Sequence, residues 1–196
     1  NSLKMTHNYH KDYYSVITPS HRFSKLGWQQ SFTSQKRSVQ SSKPDLIIIG
    51  DSIAKSLQRD KEVWDLFKCY SSLNLGIGGD KVENILWRCQ EISFPVSMKY
   101  LVIFGGTNNI DFDAPSNIAK TLIETGVMLT QKYKNLRVLI SGLLPRDEKR
   151  NSIRCFKIRE CNKILETMCA LSNNNITFIQ QDTEEWVEAN GNLKIK

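Results

Sequence analysis

The sequence predicts an α/β fold: a doubly wound, five-stranded parallel sheet with helices on both faces, three layers in all. Three observations predict it. Leu46-Ile47-Ile48-Ile49 and the stretch from Lys99 to Phe104 are unbroken apolar runs, as expected of strands buried on both sides. Between such runs the apolar residues fall three and four apart, the spacing of amphipathic helices. Glycine and small polar residues follow the first three runs, which puts three permissive loops at one end of the sheet.

In chain order, residues 1–44 form a basic N-terminal arm, partly ordered, and residues 45–196 form the domain. Within the arm, His21 to Phe32 carries Phe23, Leu26 and Trp28, enough for a short packed helix or an ordered arm. The serine-rich 33–43 has helical character in its middle, and Pro44 closes it. After the first strand, Ile53 to Arg59 has helical spacing, and Lys61 to Lys68 (Val63, Trp64, Phe67) suggests a second short helix. Leu73-Asn74-Leu75 is a strand that runs into Gly76-Ile77-Gly78-Gly79-Asp80. Asp80 and Glu83 have the spacing of a capping box, opening a helix with Val82, Ile85, Leu86, Cys89 and Ile92 on one face. The third strand ends in Gly105-Gly106-Thr107-Asn108-Asn109. Asp113 and Pro115 then begin a helix with Ile118, Leu122, Gly126, Leu129 and Tyr133 on one side. Arg137 to Ser141 is the fourth strand. A long helix from Ile153 to Leu171, with Ile158, Cys161, Leu165 and Met168 inward, precedes the fifth strand, Ile176 to Ile179.

Ligands in such folds sit outside the carboxyl ends of the strands, and there the three loops offer a definite chemistry. Ser52 falls on a turn at a helix start, where it reads either as a helix cap or as a nucleophile whose own N–H can donate. Gly79 can bring a bare backbone N–H close to a substrate, and Asn108 can aim its NH₂ at the same point. Three donors around one oxygen make an oxyanion hole, suited to acyl transfer from an ester. Two other readings compete. Gly76-Ile77-Gly78-Gly79 could be a dinucleotide fingerprint, but that pattern needs a small residue where Lys81 stands and follows the first strand, not the second. Asn108 and Asn109 could be turn residues alone.

Gly50-Asp51-Ser52-Ile53, Asn74-Leu75-Gly76-Ile77-Gly78-Gly79-Asp80, Leu86-Trp87-Arg88, Gly106-Thr107-Asn108-Asn109 and Gly142-Leu143-Leu144-Pro145-Arg146 together resemble the SGNH (GDSL-like) hydrolases. Within that family they most resemble the intracellular platelet-activating-factor acetylhydrolases. The resemblance runs from about Trp28 onward and implies a flavodoxin-like strand order. It also implies a short-chain, acetyl-like ester as substrate, an acyl-serine intermediate and no cofactor. Ser52 would be the nucleophile; the Ser52 N–H, the Gly79 N–H and the Asn108 side chain would form the oxyanion hole. Isoleucine at 53, where the family name has leucine, is a mild departure. A larger one is that the family takes its base from an Asp-x-x-His motif after the fifth strand, whereas the histidines here are His7, His10 and His21. Asp182 then reads as a turn residue at the strand end. The expectation is a piece truncated before that motif and nearly inactive as it stands.

Charge opens a different reading. Residues 1–44 hold seven basic side chains against Asp12 alone, while the rest holds 20 basic and 19 acidic ones, so most of the net +7 lies in the arm. With Tyr9, Tyr13, Tyr14, Phe23, Trp28 and Phe32 interspersed, the arm could meet nucleic acid, or it could pack its aromatics on the domain. Similar esterase-like domains occur in LINE-type retrotransposon proteins, so a non-catalytic binding module is the alternative function. Five cysteines without a C-x-x-C pair suggest reduced thiols in a cytoplasmic protein, with no metal. No apolar run is long enough for a membrane span, and a homodimer is compatible with the resemblance.

Overall fold

A computed structural model describes residues 25–145, 152–172 and 175–181. The three histidines, Tyr9, Tyr13, Tyr14, Phe23, Arg146 and residues 182–196, Asp182 among them, lie outside the described residues. Five strands, β1 (Leu46–Gly50), β2 (Ser72–Gly76), β3 (Tyr100–Phe104), β4 (Arg137–Ser141) and β5 (Ile176–Ile179), form one sheet in the order β2-β1-β3-β4-β5. Every pairing is parallel, with Ile48 opposite Asn74 on one side and Val102 on the other. The strand order reverses between β1 and β3, so those two strand ends bound the crevice where ligands of such sheets bind.

The helices are α1 (Leu26–Ser42), α2 (Ser52–Leu57), α3 (Lys61–Asp65), α4 (Val82–Glu91), α5 (Pro115–Lys132) and α6 (Ile153–Leu171). On one face, Ile47, Ile49, Leu101, Ile103, Val138 and Ile140 pack with residues of α1, α4, α5 and α6. Alternate residues, Leu46, Ile48 and Val102, face the other way onto Ala54 and Leu57 of α2 and onto Trp64 and Phe67. Among the described residues, no helix is long and apolar enough to cross a membrane.

Four details depart from the sequence reading. The packed stretch and the serine-rich stretch before Pro44 are one 17-residue helix, α1, held down by Trp28, Phe32 and Val39, whose burial outweighs the weak helix preference of its serines. Asp80 and Glu83 do not form a capping box. Helix α4 starts at Val82, Asn84 Oδ1 accepts from the Lys81 N–H at 3.0 Å, and both acids are drawn into buried pairs instead. In α6, Cys155 and Cys169 join the expected Ile158, Cys161 and Leu165 as buried positions, while Met168 packs half-buried against the same core. The second short helix ends at Asp65, and Phe67 packs from the turn beyond it.

Candidate active site

Strand β1 closes on Gly50, a position with no room for a side chain, since a Cβ there would clash with the Phe104 carbonyl oxygen of β3. The chain then turns at Asp51, which is fully buried. One Asp51 oxygen accepts from the Ile53 N–H at 2.8 Å and so caps α2. Ser52 is therefore not the cap. It is the exposed first residue of α2, and a first residue has an N–H that no partner inside the helix can satisfy. The second Asp51 oxygen accepts from the Thr107 hydroxyl at 3.1 Å and, more distantly, from Asn108 Nδ2 at 3.4 Å. The loops after β1 and β3 are thus tied through one carboxylate.

In the loop after β2, Gly79 has φ +76°, a left-handed conformation that side chains disfavour. The next residue, Asp80, accepts from Asn108 Nδ2 through its backbone carbonyl at 2.9 Å, which ties the third loop to the second. Asn109, fully buried, extends the web: its Oδ1 accepts from the Val82 N–H at 3.0 Å, and its Nδ2 donates to Glu83 at 3.0 Å and Asp113 at 2.8 Å. Burial raises the Glu83 carboxyl above its ordinary range, and the Asn109 hydrogen bond acts against that.

Beneath the loops lies a fully buried ion pair, Arg88 of α4 with Asp80, at 2.8 Å. Arg88 also donates to the carbonyls of Gly50 at 2.9 Å and Leu75, and to Gln35 of α1 at 3.1 Å. Burial lowers the guanidinium's affinity for its proton, and the Asp80 charge opposes that. One side chain therefore fastens the ends of β1 and β2 from below.

A cavity of about 180 Å³ is lined by Ser52, Ile53, Thr107, Asn108, Leu144 and Pro145. A wider groove of about 370 Å³ shares Ser52 and Ile53 and continues along Leu57 and Val63. The wall carrying Leu144 is anchored by Asn162 of α6, which accepts from the Leu143 N–H at 2.8 Å and donates to the Leu143 carbonyl at 3.0 Å. Of the three predicted site residues, Ser52 and Asn108 share the smaller cavity, and Gly79 adjoins the residue whose carbonyl Asn108 holds. The buried thiols are poor rivals for the serine, since burial pushes Cys89 and Cys161 up to about 12 and Cys169 to about 11. No metal-binding cluster occurs among the described residues.

Sequence reading gave no role to Asp51 or Arg88, and to Asn109 only that of a turn residue. Arg88 left a signal: it falls beside Cys89 on the apolar side of its helix, where a charge implies a buried partner.

This sheet order, with its loops gathered at the β1/β3 crevice, is the fold of the SGNH (GDSL-like) hydrolases. A GDSL-like lipase from Bacteroides thetaiotaomicron superposes with a TM-score of 0.64 at 19% identity, covering 84% of this chain and 82% of that one. A Streptococcus pneumonia protein provisionally described as a platelet activating factor gives 0.68 at 20% identity, over 85% and 79%. In sequence, the chain is similar to human platelet-activating factor acetylhydrolase IB subunit alpha2, 33% identical over 113 residues. That match takes in 57% of this chain and 48% of the relative, so it spans about half the length of the curated relatives. No protein-family model matches the chain. The likeness read from the five sequence segments thus holds in sequence and in fold.

Proposed function

We propose that the chain carries the nucleophile and oxyanion hole of a serine esterase that cleaves short-chain carboxylic esters. Ser52 Oγ attacks the ester carbonyl, the alcohol leaves, and water then hydrolyses the acyl-serine. The Ser52 N–H, the Gly79 N–H and Asn108 Nδ2 hold the oxygen that becomes negative. One observation carries this reading: Ser52 and Asn108 line a single small cavity at the strand ends, and Asn108 is fixed by the carbonyl next to Gly79. The small volume suits an acetyl-sized group. Five free cysteines, four of them buried, support a reducing, cytoplasmic setting. The relatives are named as subunits, and a homodimer is the corresponding assembly, to be checked by light scattering.

With histidine only at 7, 10 and 21, these 196 residues lack the usual imidazole base, and loss of that base costs ~10⁶ in kcat in a well-characterised serine protease. The 196-residue chain is expected to hydrolyse p-nitrophenyl acetate barely above the uncatalysed rate; rapid hydrolysis abolished by Ser52→Ala would overturn this. In a longer form supplying an Asp-x-x-His segment, Ser52→Ala should abolish turnover and Asn108→Ala should lower kcat by ~10²–10³. Full activity in both variants would remove the esterase reading.

The basic N-terminal residues favour a second reading, a non-catalytic module of the retrotransposon type that binds nucleic acid or a partner protein. Gel shifts with single-stranded RNA at several salt concentrations test it. The truncation used must stop before Lys25, because removing α1 would strip out buried Trp28, Phe32 and Val39. Unchanged affinity and salt slope after deleting residues 1–24 would clear that part of the arm; Lys36→Gln with Arg37→Gln would test the helix.

A further inference from the structure

We infer that Trp28 and Gln35 of α1 are positioning residues for the Gly79 N–H, a role that rests on the esterase reading of the site. Gly78 and Gly79 are adjacent glycines, and a Cβ at Gly78 would meet nothing within 4 Å. Neither glycine brings a side chain to hold the loop, so the nearest side-chain anchor on this side is the residue after them. That residue is Asp80, fully buried, with its own N–H closing the turn on the Ile77 carbonyl at 3.2 Å.

The Asp80 carboxylate is gripped from two elements. Arg88 of α4 pairs with one oxygen at 2.8 Å, and the Trp28 indole N–H of α1 donates to the other at 2.7 Å. Both oxygens of a buried carboxylate need donors, and a short charge-assisted bond from indole is among the stronger ones. Trp28 is itself held in place by stacking on Phe32, with centroids 5.5 Å apart and planes at 27°, and by Trp87 at 5.9 Å. Gln35, two turns along α1, accepts from Arg88 at 3.1 Å and reaches the Gly76 carbonyl at 3.4 Å. Helix α1 therefore touches the oxyanion loop at both of its ends, at Gly76 and at Asp80. Phenylalanine at 28 would fill the same aromatic slot; what indole adds is the donor.

The test is Trp28→Phe, read by amide NMR in the 196-residue chain and by fluorophosphonate labelling of Ser52 in a longer form supplying an Asp-x-x-His segment. The Gly79 and Asp80 amide signals should shift, and their hydrogen exchange should quicken about tenfold or more. Ser52 labelling should fall by a similar factor, while Gln35→Leu should have the same effects to a smaller degree. Amides at 79 and 80 unmoved in a folded Trp28→Phe protein would overturn the inference. Should that variant not fold, the parent protein serves: the Trp28 indole N–H and the Gly79 and Asp80 amides should exchange in one cooperative opening. A separate, easier opening of the indole would overturn the inference equally. If Ser52 in that longer form takes no label, the esterase reading fails while the amide measurements still decide the role of Trp28.

Discussion

Among the described residues, the two faces of the sheet are packed to different depths, although they share the same strands. Ile47 and Ile48 are neighbours in β1 and almost equally buried, at 0% and 1% exposure. Ile47 faces α1, α4, α5 and α6, whereas Ile48 faces, among the described residues, α2 and the segment around Trp64 and Phe67. The buried pair Arg88–Asp80 that fastens the loops lies on the deep side. Ser52 and the wider groove lie on the shallow side, on a helix of only six residues. The lesson is that the candidate oxyanion loop and the candidate nucleophile are supported by different parts of the molecule, one anchored in the larger core cluster and one carried, among the described residues, by a six-residue helix on the smaller one.

The largest effect that would sharpen this comparison is Arg88→Met. Removing one partner of a buried pair leaves Asp80 uncompensated, and urea unfolding should show a loss of about 3–5 kcal/mol. A loss under about 1 kcal/mol would mean that the deep side does not depend on its ion pair. Next come Ile47→Ala and Ile48→Ala, the same deletion one residue apart. Substitutions of this kind cost about 2–5 kcal/mol, more where the surroundings cannot close in. Ile47→Ala should fall near the top of that range and Ile48→Ala near the bottom; equal losses would break the comparison. Thiol titration should find Cys69, the exposed cysteine, reacting quickly, with Cys89 and Cys161 reacting only on unfolding.

The smallest effect concerns Glu83, on the deep side. Its carboxyl is raised in the folded chain by burial, so the folded state holds its proton more tightly than the unfolded one. Stability from this group is present below its ordinary 4.5 and is lost as pH rises from there through the folded value. Glu83→Gln should remove that loss, so that the melting-temperature advantage of the variant grows with pH from about 4.5 upward. A constant difference across that range would show that Glu83 does not titrate differently on folding.

Four of the strands were legible because each is a short, mostly apolar run ended by glycine or a polar residue, whereas β2 alternates Leu73, Asn74 and Leu75 before its glycines. Helix α6 was legible at both ends, its expected span from Ile153 to Leu171 being the observed one, with Ser152 capping it at 3.1 Å. Ser52, Gly79 and Asn108 stood out because each lies in a loop directly after a strand. What joins them was not legible. Trp28 and Asp80 are 52 residues apart, and Arg88 and Gln35 are 53 apart, so nothing local marks either pair. Asp80 and Glu83 misled for the same reason: their spacing matches a cap, and only the packed core decides that burial and pairing prevail.

Asn162 gives the cavity a mechanical link to the far end of its longest helix. Its carboxamide bonds both backbone groups of Leu143, so the strip bearing Leu144 and Pro145 travels rigidly with α6. Cys169 lies seven residues further on, about 10 Å along the axis at the usual rise. A bulkier side chain at that distant spot, prising the rod away from α5 and β5, would be felt as a change in the room beside Ser52, so the cavity is adjustable from a place well away from its lining.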